Sequence, residues 1–150
     1  MDLNSIKVSQ KVKMVSVPAK DSIVGYMSII HDKFLDKVCT VVMVDSNGAA
    51  AIWDEDIKTY CFVLFENLEV VDDTIQVEIA FNLGDKVEVL GVPSEDSFGS
   101  TPEMKAIVGT QREINEVRIT PNLAQIAYGI QLGGKRYNAS YFEAENLKLV

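Results

Sequence analysis

The sequence predicts a mainly β chain built as two tandem copies of one small domain, and three observations carry that prediction. The stretch "IKVSQKVKMVSVPAKDS" at 6 to 22 is echoed by "FNLGDKVEVLGVPSEDS" at 81 to 97, an offset of 75 that places Val12 on Val87, Val17-Pro18 on Val92-Pro93 and Asp21-Ser22 on Asp96-Ser97. The stretch "FENLEVV" at 65 to 71 is echoed by "AENLKLV" at 144 to 150, an offset of 79, so the second copy holds about four extra residues inside. Between these ends lie short apolar runs separated by turn signals. Matched ends around a variable middle are the mark of a repeated fold whose loops have diverged. The copies are 1–74 and 75–150, each near the lower size limit of a self-sufficient core.

Taken in order, "KVKMVSV" alternates Val12 and Met14 with Lys11 and Lys13, the period-two pattern of a half-buried strand. In "YMSIIHDKFLDK", 26 to 37, Met27, Ile30, Phe34 and Leu35 recur at spacings of three and four, which predicts one apolar helix face. "CTVVMV" at 39 to 44 is β-branched and ends at "DSNG", where Asn47-Gly48 suits a hairpin turn, and "AAAIW" and "YCFVLF" follow as strands. The junction "DDTIQVEIAF", 72 to 81, alternates Ile75, Val77, Ile79 and Phe81 with Gln76 and Glu78, so a strand is expected there instead of a flexible tether. In the second copy, Thr101 caps, Pro102 opens and Gly109 ends a short helix over "STPEMKAIVG". "NEVRIT", "AQIAYGIQL" and "YNASYF" are the later strands, with turns at "PNL" and "GGKR". Five short strands per copy fit a small barrel or sandwich.

The layout of each copy resembles an SH3-like barrel: an opening strand of the form seen in "FNLGDKVEVL", a long loop containing a short helix, and a close in "Glu-Asn-Leu-x-x-Val". The second copy fits better, because the first has Ser9-Gln10 where the pattern has Gly84-Asp85. Tandem repeats of the Mind bomb type are most similar, since they too come in pairs and finish in a leucine-valine strand. The resemblance implies two tandem SH3-like barrels acting as a binding module for peptide segments of partner proteins.

Composition narrows the function. With 47% hydrophobic and 24% charged residues the chain can pack a core. It holds no apolar run long enough for a membrane span, and "MDLNSIKV" lacks the features of a signal peptide, so a cytoplasmic protein is expected. A net charge of −8 repels polyphosphate, and Lys135-Arg136 is the only basic doublet, so direct nucleic-acid binding is not expected. Cys39 and Cys61 each sit in an apolar run and read as buried, reduced thiols.

Catalysis finds few parts. His31 is the only histidine, has no counterpart in the second copy, and reads as a surface or loop residue instead of a base. Two cysteines and one histidine have no metal-site spacing, and Asp54, Glu55 and Asp56 in "WDEDIK" lack the ligand spacing and glycine of a calcium loop. No enzyme activity, metal or cofactor is therefore expected. Aromatic residues in or beside loops are the better candidates for binding: Tyr26, Trp53 and Tyr60 in the first copy, and Phe98, Tyr128, Tyr137 and Tyr141 in the second. Trp53 ranks first, because a tryptophan bordered by carboxylates can hold a basic peptide by cation–π and ion-pair contacts. The expected partner is a protein or peptide with a basic patch, met by the loops and the groove between the copies. The rival readings are a viral-type decoy that mimics nucleic acid, and a binder of a small ligand or nucleotide.

Overall fold

A computed structural model of the chain describes residues 4–95, 99–132 and 139–150. The chain is mainly β and divides into two compact units, Met1–Glu78 with Ile119–Ala124, and Ile79–Arg118 with Gln125–Val150. The boundary thus falls four residues after the expected one, and the later segment 119–124 belongs with the first unit. Among the described residues no helix is long and apolar enough to cross a membrane.

In the first unit, β1 (Lys11–Met14) lies between β2 (Val38–Asp45) and β5 (Leu68–Asp72), and β3 (Ala49–Asp54) joins β2 to β4 (Thr59–Leu64), all antiparallel. The order is therefore β5-β1-β2-β3-β4, with β5 and β4 as unpaired edges among the described strands. The alternation seen in the sequence is real: Val12 and Met14 point into a core that also holds Val8, Phe34, Val41, Ile52 and Val63. The hydrogen-bonded ladder does not close into a barrel, which departs from the expected architecture; β4 and β5 keep one free side each.

The second unit repeats the plan with its long strand broken in two. β6 (Lys86–Val89) pairs with β11 (Leu147–Leu149) and β7 (Gln111–Glu113), while β9 (Ile126–Gln131) lies between β8 (Glu116–Ile119) and β10 (Ala139–Phe142). The break between β7 and β8 falls at Ile114-Asn115, where Asn115 donates from its backbone to Gly129 and accepts Gln131 N–H on Oδ1 at 2.9 Å. Val87, Val89, Ile114, Tyr128, Ile130 and Phe142 fill this core.

The two echoed stretches perform the same local work in both units. Ser9 adopts φ +75° where Gly84 has +87°, so the serine takes the left-handed conformation that glycine adopts freely. Gln10 Oε1 then accepts Lys7 N–H at 2.9 Å, as Asp85 Oδ2 accepts Asn82 N–H at 2.9 Å. The closing Glu-Asn-Leu forms a 3-10 turn in each unit, Phe65–Asn67 and Ala144–Asn146. There the buried Asn67 accepts Leu64 N–H at 3.1 Å and Asn146 accepts Glu143 N–H at 3.0 Å. The backbone carbonyls of the same asparagines take Val15 N–H and Leu90 N–H, tying the turn to the end of the opening strand.

Two expectations fail. The junction holds no strand from 73 to 85, because its donors find side chains in place of a ladder. Thr74 N–H goes to Asp72, Gln76 N–H to Ser9 Oγ at 2.7 Å and Ala80 N–H to the Tyr128 hydroxyl at 2.8 Å. The first helix, α1, spans only Ser28–Phe34 and buries His31 and Phe34, leaving Met27 and Leu35 exposed. Met27 is its N-cap and Leu35 is already extended, so neither can contribute to a helical face. The second helix, α2 (Pro102–Ala106), follows the signals at its start, with Thr101 Oγ1 accepting Met104 N–H and Pro102 in the first turn, but it ends earlier than expected: Ile107 is its C-cap, and Gly109, at φ +88°, lies in the turn beyond.

Candidate functional site

The candidate residues of the first copy converge on one region, the β3–β4 hairpin with α1 beside it. Trp53 faces Tyr60 across the hairpin, and Tyr60 meets Phe62 edge to face with ring centroids 5.5 Å apart. Cys61 and Val63 point inward, so strand alternation sends Tyr60 and Phe62 to the outer face, where they are 51% and 43% exposed.

His31 fixes the helix to this strand, and it is buried, contrary to the surface placement its sequence position suggested. Met27 N–H donates to Nδ1 at 2.8 Å, which puts the ring proton on Nε2, and Nε2–H donates to the Phe62 carbonyl at 2.8 Å. The one ring thereby satisfies a donor at the helix start and an acceptor on the edge strand. Tyr26 stacks on the ring at 5.7 Å and donates its hydroxyl to Asp32 at 2.7 Å, a contact that raises the Tyr26 pKa. Asp36 and Gly109 both take positive φ and both donate their backbone N–H to the end of the opening strand, at Met14 and Val89. That match sets Met104 at the place of His31, and both are buried. The histidine is thus a polar substitute for a core side chain.

The acidic cluster is largely satisfied within the hairpin. Asp54 is buried; its Oδ1 accepts Asp56 N–H at 2.9 Å and its Oδ2 meets Lys37 Nζ at 3.1 Å. Burial pushes the carboxyl up, and these hydrogen bonds and the lysine charge outweigh it, so its pKa lies below the ordinary value. Glu55 pairs with Lys58 and accepts Trp53 Nε1–H at 2.7 Å, which also lowers its pKa. Of the three acids, Asp56 is left exposed on the turn without a cation beside its carboxylate in the described contacts. Trp53 is half-buried with its N–H engaged, and so offers a ring face more than a donor.

In the second unit the candidates scatter. Tyr128 is fully buried and stacks edge to face on Phe81 at 5.1 Å, so it is a core residue and no partner reaches it. Phe98 and Tyr137, like the "GGKR" turn, lie outside the described residues. Tyr141 lies under the Arg118 guanidinium at 5.0 Å, and burial, reinforced by the Glu116 carboxylate, raises its pKa. Gly129 lies between them: a Cβ there would stand 2.8 Å from Glu116 Cβ and 3.4 Å from the Tyr141 ring, so this cluster exists only over a bare glycine.

Cys39 and Cys61 are free and buried, and burial pushes their thiols up to about 11 and about 12. Such thiols are poor nucleophiles at neutral pH. Among the described residues no three His, Cys, Asp or Glu side chains come together as a metal site requires. The sequence reading missed Phe62, Met27 and Ile29, three exposed apolar side chains on the same strand and helix. In "YCFVLF" every residue is apolar or aromatic, so no polar alternation announced which ones face out. No family model matches the chain, and no curated protein matches it in sequence.

Proposed function

We propose that the chain is a non-enzymatic protein- or peptide-binding module of two SH3-like repeats, and that α1 with β4 of the first repeat forms its docking surface. The observation that carries this reading is the pair of exposed rings on β4, Tyr60 and Phe62, packed edge to face, with the exposed Met27 at the start of the helix that His31 ties to Phe62. Exposed apolar groups scattered singly need no explanation, whereas neighbours on one strand and its attached helix mark an interaction surface. The rings of Tyr60 and Phe62 are already braced against each other and the strand under them is fixed by His31, so docking orders little that is not ordered before. The repeat reading rests on the shared Ser9/Gly84 and Asn67/Asn146 geometry and on five strands in the first unit.

The partner presents an apolar or aromatic segment to this face, with basic residues at its margin to suit the net charge of −8. Because Lys37 and Lys58 neutralise Asp54 and Glu55, the apolar contact dominates over a basic peptide clasped at Trp53. Affinity capture from the source cell tests the proposal with Phe62→Ser and Tyr60→Ser, whose exposed side chains leave the core intact. Each truncation of an aromatic anchor is expected to weaken binding by about 2 kcal/mol, roughly thirtyfold in Kd. Retention of every captured partner by the double variant, with an unchanged melt, would rule this surface out.

A further inference from the structure

The closing strands of the two units are edges of opposite charge, and this difference selects an occupant. β5 pairs only with β1 and β11 only with β6 among the described strands, so each leaves one side of its backbone free of a ladder. Both edges carry exposed aliphatic side chains, Val70 and Val71 on β5 and Leu149 on β11. In β5 the register places Glu69 opposite Lys13, and in β11 it places Lys148 opposite Glu88. These are equivalent positions of the repeat with the charges exchanged: the outer strand is acidic in the first unit, where Asp72 and Asp73 follow, and basic in the second. An exposed strand edge with aliphatic side chains is a template for pairing with another strand.

We propose that β11 of one molecule adds antiparallel to β5 of a second copy, so that the protein self-associates head to tail. Pairing β5 with β5 would set Glu69, Asp72 and Asp73 against the same acids, and pairing β11 with β11 would set Lys148 against Lys148. Like charges opposite each other in a sheet oppose pairing, and unlike charges favour it. Only the mixed pairing brings Lys148 among the β5 carboxylates while covering Val71 and Leu149. A contact between two different edges is heterologous, and in the open head-to-tail arrangement proposed one β5 and one β11 stay free at the ends, so association continues past the dimer.

Sedimentation velocity of the full chain over a concentration series, at low and high salt, tests this. The average mass is expected to climb beyond two copies with concentration and to fall with added salt. Glu69→Lys and Lys148→Glu should each weaken association about fivefold, and the double charge exchange in one chain should restore it. Val71→Lys, on an exposed side chain that cannot disturb the core, should also suppress association, and circular dichroism melts verify that each variant folds. A chain that stays monomeric to its solubility limit overturns the proposal, as does a mass that stops at two copies or association indifferent to both charge substitutions and to Val71→Lys.

Discussion

His31 provides the sharpest single perturbation, because one buried ring carries two hydrogen bonds and the link between α1 and β4. His31→Ala removes the acceptor of Met27 N–H and the donor to the Phe62 carbonyl, both at 2.8 Å, and opens a space beneath Tyr26. Leaving a buried polar group unpaired costs about 1–3 kcal/mol, and the lost packing adds to it. Met27 sits at the surface, where water replaces part of its lost bond, so the sum comes to about 3 kcal/mol. For a domain of this size that lowers the melting temperature by about 12 °C or more. His31→Met restores the volume that Met104 supplies in the second unit while still leaving the two groups unpaired, so it should lose about 1–2 kcal/mol. Trp53 is the only tryptophan and lies in the first unit, so its fluorescence during urea unfolding reports on the affected structure. An alanine variant within about 0.5 kcal/mol of the parent, the range of an ordinary surface change, would refute the bridging role. So would a methionine variant as stable as the parent, since methionine refills the space and makes neither hydrogen bond.

Further expectations follow from the same contacts. Asn67→Ala and Asn146→Ala each remove a buried amide and leave a half-buried turn donor, Leu64 N–H or Glu143 N–H, without its acceptor, and each should lower stability by about 1–2 kcal/mol in denaturant titrations. Gly129→Ala forces a Cβ to within 2.8 Å of Glu116 Cβ and should destabilise by about 1–3 kcal/mol, seen as an earlier thermal melt. At pH 8, Cys39 and Cys61 should resist alkylation in the folded chain and react once urea unfolds it; rapid labelling of native protein would contradict their raised pKa values. Asp54 has a folded pKa below its ordinary 3.8, so the unfolded chain gains the proton first. The stability it contributes is whole above that value and is lost as pH falls through the folded one, a loss that Asp54→Asn should remove from the acid limb of a stability–pH curve.

What the sequence made legible was the geometry that backbone chemistry enforces. The "Glu-Asn-Leu" echo was legible as the matched close of each copy and "Gly-Asp" as part of its opening; the structure adds that the asparagine of the first accepts a donor from the end of the preceding strand and that the second is a left-handed residue followed by an acceptor. Ser9-Gln10 looked like a departure, yet serine takes the same φ and glutamine makes the same bond, so the local demand outlasted the residue types. Side-chain direction was harder to read wherever both faces of an element are apolar. β4 hid Phe62 among equally hydrophobic neighbours, and Tyr128 looked like a loop aromatic although its ring is core and only its hydroxyl serves the chain, at Ala80. In the junction, alternation mimicked a strand because Ser9, Asp72 and Tyr128 supply acceptors that no local pattern reveals. His31 was misplaced for a related reason: its partners, Met27 and Phe62, are brought to it by the fold and lie on different elements.

Photo-crosslinking in the source cell measures the binding surface most directly, with a benzoylphenylalanine placed at Phe62 on β4 and, for comparison, at the exposed Val108 of the second unit. A discrete adduct that Tyr60→Ser diminishes is expected from position 62, and none from position 108. Adducts arising from position 108 alone would contradict it.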